Sequence, residues 1–428
     1  MLDQLKFKST FLKSVMVLTS GTVIAQAISY AFTPLVTRLF TTEDFGAFGV
    51  FMRIVAFLAA IGTARYELTL PLPKRDQHAF QLFFLSLKIA VYTLLVSLLM
   101  GLIYWSIWEN SASTLIYVIA IGLTAFLFIF KNIGINWAIR LQAYRRISMV
   151  NITTSLGTGL VKLTAGFLGL GALGLVYGTF VGTFLGVVWF FLDFIKQSKK
   201  SDYKQSKRKI KALSKEYREF PLINLPHTLI DTGRELLLAF FLTYYLSTSL
   251  FGSYDLSFKM LKIPLLLIGT SIGQVMFQKA SQRFANNETI FPLVGKTVVL
   301  LFVISLLPFS VIYIWGGPIF AFVFGVEWFY AGQIAAAISP WLMMNLVASA
   351  ISMIPSVIKA LRWFFWVGLF TSLIQLALFG FYPSITQFLS LTPISFFSMV
   401  SWIMVILYTV IIVWELQLIR KREKEWGS

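Results

Sequence analysis

The sequence predicts an all-α polytopic membrane protein of about twelve transmembrane helices, arranged as two pseudo-symmetric six-helix bundles. Three observations predict it. Of 428 residues, 57% are hydrophobic and only 13% charged; apolar runs of spanning length recur along the whole chain; and the basic residues fall almost entirely in alternate connections between those runs. A hydrocarbon core of about 30 Å needs about 20 apolar residues in a helix. Runs of that kind are read at 14–36, 45–64, 80–105, 114–134, 148–168, 172–195, 221–247, 254–278, 296–315, 331–355, 363–381 and 394–416.

The first run follows Lys6, Lys8 and Lys13 and contains Ala25-Gln26-Ala27, a string that imitates a signal-peptide cleavage site. It continues to Val36, long enough to span, so a retained helix is expected. Its polar residues Thr19, Thr22, Gln26, Ser29 and Thr33 are spaced 3, 4, 3 and 4 apart, which makes one helical stripe. Such a stripe suits interhelical hydrogen bonding or the lining of a pathway. The second run opens on Glu43-Asp44, acids suited to a helix N-terminus. In the sixth, Gly174, Gly178, Gly182 and Gly186 place a small residue at every fourth position, where another backbone can approach closely.

Residues 1–195 and 221–428 are expected to form the two bundles, joined by the basic segment 196–220, read as a solvated loop lying on anionic headgroups. The seventh run carries Asp231, Arg234 and Glu235. In the eighth, Asp255, Lys259 and Lys262 stand at i, i+4 and i+7, on one face, and Asp255 can pair with Lys259. Pro264, Pro308, Pro340 and Pro355 interrupt the eighth to tenth runs and mark kinks. The longest outer connection is read at 316–330.

Orientation follows from charge. Twenty-nine of the 36 Lys and Arg residues lie in alternate connections and one, Arg38, in the others. The positive-inside rule makes the rich side cytoplasmic, with both termini inside. The net charge of +18 is then mostly a topology signal, and no separable basic domain with exposed aromatics suggests nucleic acid. Cysteine is absent and histidine limited to His78 and His227, which argues against disulfides, thiol nucleophiles and a Cys/His metal centre. No phosphate-binding loop, hydrolytic triad or cofactor motif appears.

Six basic residues remain, all within spans: Arg53, Lys88, Lys162, Arg234, Lys259 and Lys262. Facing lipid, they would together cost roughly 15 to 20 kcal/mol. They are therefore expected to line a watery interior or to be paired, except that Lys88 lies near enough to the cytoplasmic face to snorkel. Asp231 and Arg234, one turn apart, form either a structural ion pair or a site where protonation would free the arginine. A parallel repeat is also visible, since Phe45-Gly46 precedes Arg53 at the spacing with which Phe251-Gly252 precedes Lys259. Parallel repeats are common in secondary transporters.

The chain resembles the Wzx-type polysaccharide flippases of the multidrug/oligosaccharidyl-lipid/polysaccharide exporter superfamily. The residues that carry the resemblance are Lys13 to Thr22, Phe45-Gly46, Ala64-Arg65-Tyr66-Glu67, Tyr254 to Lys262 with Pro264, and Gln278-Lys279-Ala280. It implies a MATE-like fold around a central cationic cavity, in the bacterial inner membrane. It further implies an undecaprenyl-diphosphate-linked oligosaccharide as cargo, moved outward for O-antigen or other surface polysaccharide. Arg53, Lys162, Arg234, Lys259 and Lys262 are the expected cargo contacts, with Lys88 as a further candidate where it does not snorkel. A proton or sodium gradient is implied as the drive, with Asp231, Asp255 and Glu67 the candidate coupling acids. A polymerase and a chain-length regulator are the implied partners. Two other readings compete: a cation-coupled small-molecule exporter, which would favour a deep acidic site, and a polysaccharide polymerase or ligase, which would need a large external loop.

Overall fold

Each of the twelve apolar runs coincides with helix in the computed structural model, which describes residues 2–200, 205–264, 268–358 and 360–424. Lys204 and Lys359, counted above among the inner basic residues, lie outside the described residues. No strand occurs among the described residues. The chain divides into two compact units, Met1–Ala239 and Phe240–Ser428.

The N-terminal unit contains α1 (Leu2–Thr37), α2 (Thr42–Ile61), α3 (Asp76–Trp108), α4 (Ala112–Arg140), α5 (Tyr144–Phe167), α6 (Gly171–Lys200) and α7 (Lys207–Glu216). It ends within α8 (Leu225–Tyr245), which continues into the C-terminal unit. There follow α9 (Thr248–Pro264), α10 (Thr270–Ala285), α11 (Phe291–Phe324), α12 (Phe329–Ile351), α13 (Ile354–Val357), α14 (Leu361–Gly380), α15 (Tyr382–Leu389) and α16 (Pro393–Lys424).

Seven helical segments among the described residues are by themselves long and apolar enough to cross a membrane, and α14 with α15, bent by 65°, form an eighth candidate. The protein is thus a multi-pass membrane protein. The other expected spans fold as α1, α5, α8 and the pair α9–α10, and two of them depart from the apolar pattern for a visible reason. Asp231, Arg234 and Glu235 crowd into α8, and α5 is rich in Ser, Thr and Gly around Lys162. The helices with the weakest apolar signal therefore include those that carry charge.

In the eighth run α9 is described to Pro264 and α10 from Thr270. Two sequence expectations need correction. The expected outer connection 316–330 is largely helical: α11 bends at Trp315 (φ −117°, ψ 17°) and runs on to Phe324, leaving only Gly325 (φ 113°) and a short 3₁₀ turn, Val326–Trp328, before α12. The basic segment 196–220 is not a solvated loop, since it forms the end of α6, then α7 docked on the N-terminal unit.

Thr41 begins α2 with a capping box. Its hydroxyl accepts from Asp44 N at 3.1 Å, while Asp44 Oδ2 accepts from Thr41 N at 2.9 Å. Close packing of α5 on α6 follows from the glycines. A Cβ on Gly174 would stand 2.9 Å from Ala165 Cβ, on Gly178 3.0 Å from Lys162 N, on Gly182 2.6 Å from Thr158 Cα, and on Gly186 2.9 Å from Val150 O. Thus the two helices run antiparallel with their backbones nearly touching. The stripe of α1 meets α5 at Ser29, whose hydroxyl donates to Ser155 Oγ at 3.1 Å.

In the C-terminal unit α12 is the core, buried against α9, α10, α11 and α16. Pro340 interrupts its hydrogen-bond ladder, and the Trp341 amide instead donates to Ser401 Oγ of α16 at 3.1 Å. A hydroxyl on a neighbouring helix thus serves the backbone beside the proline, as a membrane interior favours.

Candidate functional site

Helix α2 carries one of the six basic residues expected inside the spans, Arg53, and meets another, Lys162. Lys162, projecting from α5, places its ammonium 4.1 Å from the centroid of the Phe48 ring on α2. That is cation–π range, and it keeps the charge solvated by a ring where water is scarce. Close packing at Gly178 fixes the backbone from which Lys162 departs. Farther along α2, Arg53 Nε lies 3.8 Å from Glu235 Oε2 on α8. Arg234 is the adjacent residue on α8, with its Nε buried. Lys162 and Arg53 thus both make contacts that involve α2, one with a ring and one with an acid, and Arg234 neighbours that acid along α8.

The remaining basic candidates are placed elsewhere. Lys88 on α3 is exposed, with its ammonium 5.7 Å from the Tyr92 ring centroid. On α9, Lys259 is exposed, whereas Lys262 is half-buried and lies 5.2 Å from the Phe258 ring centroid. Lys131, assigned to a connection from the sequence, lies inside α4, which runs on to Arg140, and is half-buried.

The acids separate by environment. Glu67 is buried in a 3₁₀ turn, Tyr66–Thr69, where it accepts from the Thr63 hydroxyl and pairs with Arg65 Nη1 at 3.3 Å. Arg65 itself adopts left-handed backbone (φ 66°), as does Ala64 (φ 50°), and its Nε donates to Asn224 Oδ1 at 2.8 Å. Asn224 closes a π-helical turn, Phe220–Asn224, at the entry to α8. Asp231 is exposed and sits 3.6 Å from His227 Nδ1. Asp255, by contrast, is only 9% exposed on α9.

Two acidic residues of interest escaped the sequence. Glu235 was visible, but nothing in the linear pattern joins it to Arg53. Glu415 on α16 is 4% exposed, and its Oε2 is buried without a hydrogen-bond partner among the described residues. The signal that could have found it was a lone acid in the otherwise apolar run 394–416. No group of three or more His, Asp or Glu suited to a metal ion occurs among the described residues.

With this geometry the chain was compared with known proteins. A family model described as polysaccharide biosynthesis protein matches residues 35–332. No curated protein matches the chain. A multidrug-resistance MATE transporter of the MOP superfamily in an inward-facing conformation is 14% identical at a TM-score of 0.68, over 94% of this chain and 99% of that one. The lipid II flippase MurJ, inward closed, is 15% identical at 0.68, over 95% and 90% respectively. A MOP superfamily transporter from Pyrococcus furiosus, described as having a binding pocket of reversed polarity, is 15% identical at 0.58, over 96% of each chain. The likeness is one of fold.

Proposed function

Because the chain belongs to the polysaccharide biosynthesis protein family, we propose that it is a flippase for undecaprenyl-diphosphate-linked oligosaccharide repeat units. It carries them from the cytoplasmic to the outer leaflet of the bacterial inner membrane, where a polymerase and a chain-length regulator take over assembly of O-antigen or another surface polysaccharide. The observation that carries this reading is that Lys162 and Arg53 both make contacts involving α2 or α8, with Arg234 beside Glu235, in a part of the N-terminal unit built from apolar helices.

A diphosphate cannot enter a hydrocarbon core of about 30 Å uncompensated. Fixed cations along a wet path supply compensation while the lipid tail stays in the bilayer. Arginine suits the task because its planar fork binds phosphate oxygens in pairs, and lysine supplies a mobile point charge. Here Glu235 holds Arg53 through a loose contact of 3.8 Å, which an arriving phosphate can replace. Lys259 and Lys262 on α9 are proposed as further cargo contacts, and Lys88 as a snorkelling residue.

Transport proceeds by alternating access, driven by protons or sodium ions. Among the acids, Asp255 is the proposed coupling residue: it is buried on a helix that also carries Lys259 and Lys262, and an intramembrane acid is functional by default. Glu67 is engaged by Thr63 and Arg65, which supports a structural role for it, and exposed Asp231 pairs with His227.

The test is deletion of the gene followed by mass spectrometry of lipid-linked glycans. Accumulation of one species on the cytoplasmic side, reversed by the wild-type chain and not by Arg234→Ala or Lys259→Ala, is the expected result. Unchanged surface polysaccharide with no accumulating glycan would overturn the proposal, and normal export by both variants would overturn the cationic path.

A further inference from the structure

Helix α7 is a basic surface that transport leaves unused. Ser206 caps it by accepting from Lys209 N at 3.4 Å. One face is docked: Leu213 is 4% exposed in a cluster with Tyr66, Leu70, Leu82 and Phe83. On the same side, Lys209 Nζ donates to Gln77 Oε1 at 3.1 Å and Ser206 N donates to Gln81 Oε1 at 3.0 Å. The Tyr66 hydroxyl donates to Ser214 O at 3.0 Å; burial raises the pKa of this phenol, which keeps it a donor.

At about 100° per residue, Lys207, Arg208, Lys211 and Lys215 fall within about 100° of arc, on the face away from Leu213. All four are exposed, as are Lys74 and Arg75 just before α3. Glu216 is the sole acid of α7 and falls outside that arc.

We propose that this face binds the phosphates of anionic lipids in the cytoplasmic leaflet. Docking on the first turns of α3, a helix that crosses the bilayer, holds α7 at the membrane surface. A one-signed face without aromatic side chains matches a layer of lipid phosphates rather than nucleic acid. Through Tyr66, and through Arg65 to Asn224, lipid engagement also steadies the α2–α3 connection and the entry to α8. The inference rests on the orientation drawn from the basic bias, so the experiment separates the two.

The chain has no cysteine, and Ala212→Cys therefore provides a single thiol. Labelling by an impermeant maleimide in inverted vesicles but not in intact cells is the expected orientation; the reverse would overturn that orientation and the proposal with it. Amide hydrogen exchange is then measured on the full-length chain in phosphatidylcholine nanodiscs, with and without phosphatidylglycerol. Exchange at 209–216 is expected to slow about tenfold with phosphatidylglycerol, as several basic groups near an anionic surface imply. A variant carrying K207Q, R208Q, K211Q and K215Q, which retains Leu213 and Lys209, loses that protection. Equal exchange in both nanodiscs, with the thiol labelled from inside, would overturn the proposal. Equal protection by inorganic phosphate in phosphatidylcholine alone would assign the face to a free anion instead.

Discussion

Arg53 on α2 and Glu235 on α8 face each other at 3.8 Å, Nε to Oε2, with side chains 20% and 41% exposed. A pair so long and so open contributes about 0 to 1 kcal/mol to folding. Arg53→Ala is therefore expected to insert normally and to keep its thermal unfolding midpoint, while export of lipid-linked glycan falls at least about tenfold, the loss expected for one charge-assisted contact to phosphate. Export assays beside melting curves in detergent check this. A parallel loss of both quantities would assign Arg53 to structure.

Two glycines are expected to respond oppositely to alanine. At Gly182 the new Cβ would stand 2.6 Å from Thr158 Cα, and a backbone atom cannot rotate away. Gly182→Ala is expected to destabilise by about 1 to 3 kcal/mol through overpacking. Gly295, inside α11, has nothing within 4 Å of that position. Gly295→Ala is expected to be neutral or to stabilise by up to about 1 kcal/mol, from helix propensity alone. Thermal unfolding of both variants in one detergent gives the comparison, and equal shifts would contradict the close approach of α5 and α6.

Ser401→Ala removes the acceptor for the Trp341 amide beside Pro340. An unmet buried donor costs about 1 to 3 kcal/mol. Ser356, half-buried and bonding within its own segment to Met353 O, serves as control. Its alanine variant is expected to change stability by less than about 0.5 kcal/mol.

Glu423, near the end of α16, accepts from Ile290 N at 2.5 Å and Phe291 N at 2.8 Å at the start of α11. It acts as an N-cap supplied from another helix. Glu423→Ala is expected to cost about 1 to 2 kcal/mol locally, seen as faster amide exchange at 290–294. Glu423→Gln, which keeps an acceptor, is expected to lie between the two.

Periodicity and length were enough to locate all twelve helical runs, because a bilayer demands about 20 apolar residues and tolerates few charges. The glycines of α6 were legible as a packing face for the same local reason. What the sequence misplaced depends on longer contacts. The docking of α7 needs Leu213 to meet Leu82 and Phe83, and the extension of α11 past Trp315 depends on packing against α12. At the site, the residue types were legible, whereas the partners were not. Arg53 and Glu235 are far apart in the chain, and no local spacing encodes their meeting. Glu415 was overlooked since one acid in an apolar run leaves the run readable as a span.

Gly178, Gly182 and Gly186 bring α6 against the backbone of α5 at three successive levels, and Gly174 brings it against Ala165 Cβ, so a side chain on α6 at any of these levels would have no room. Such a seam leaves little slack, and Lys162, which sets its ammonium over the Phe48 ring, departs from one of its tightest points, opposite Gly178.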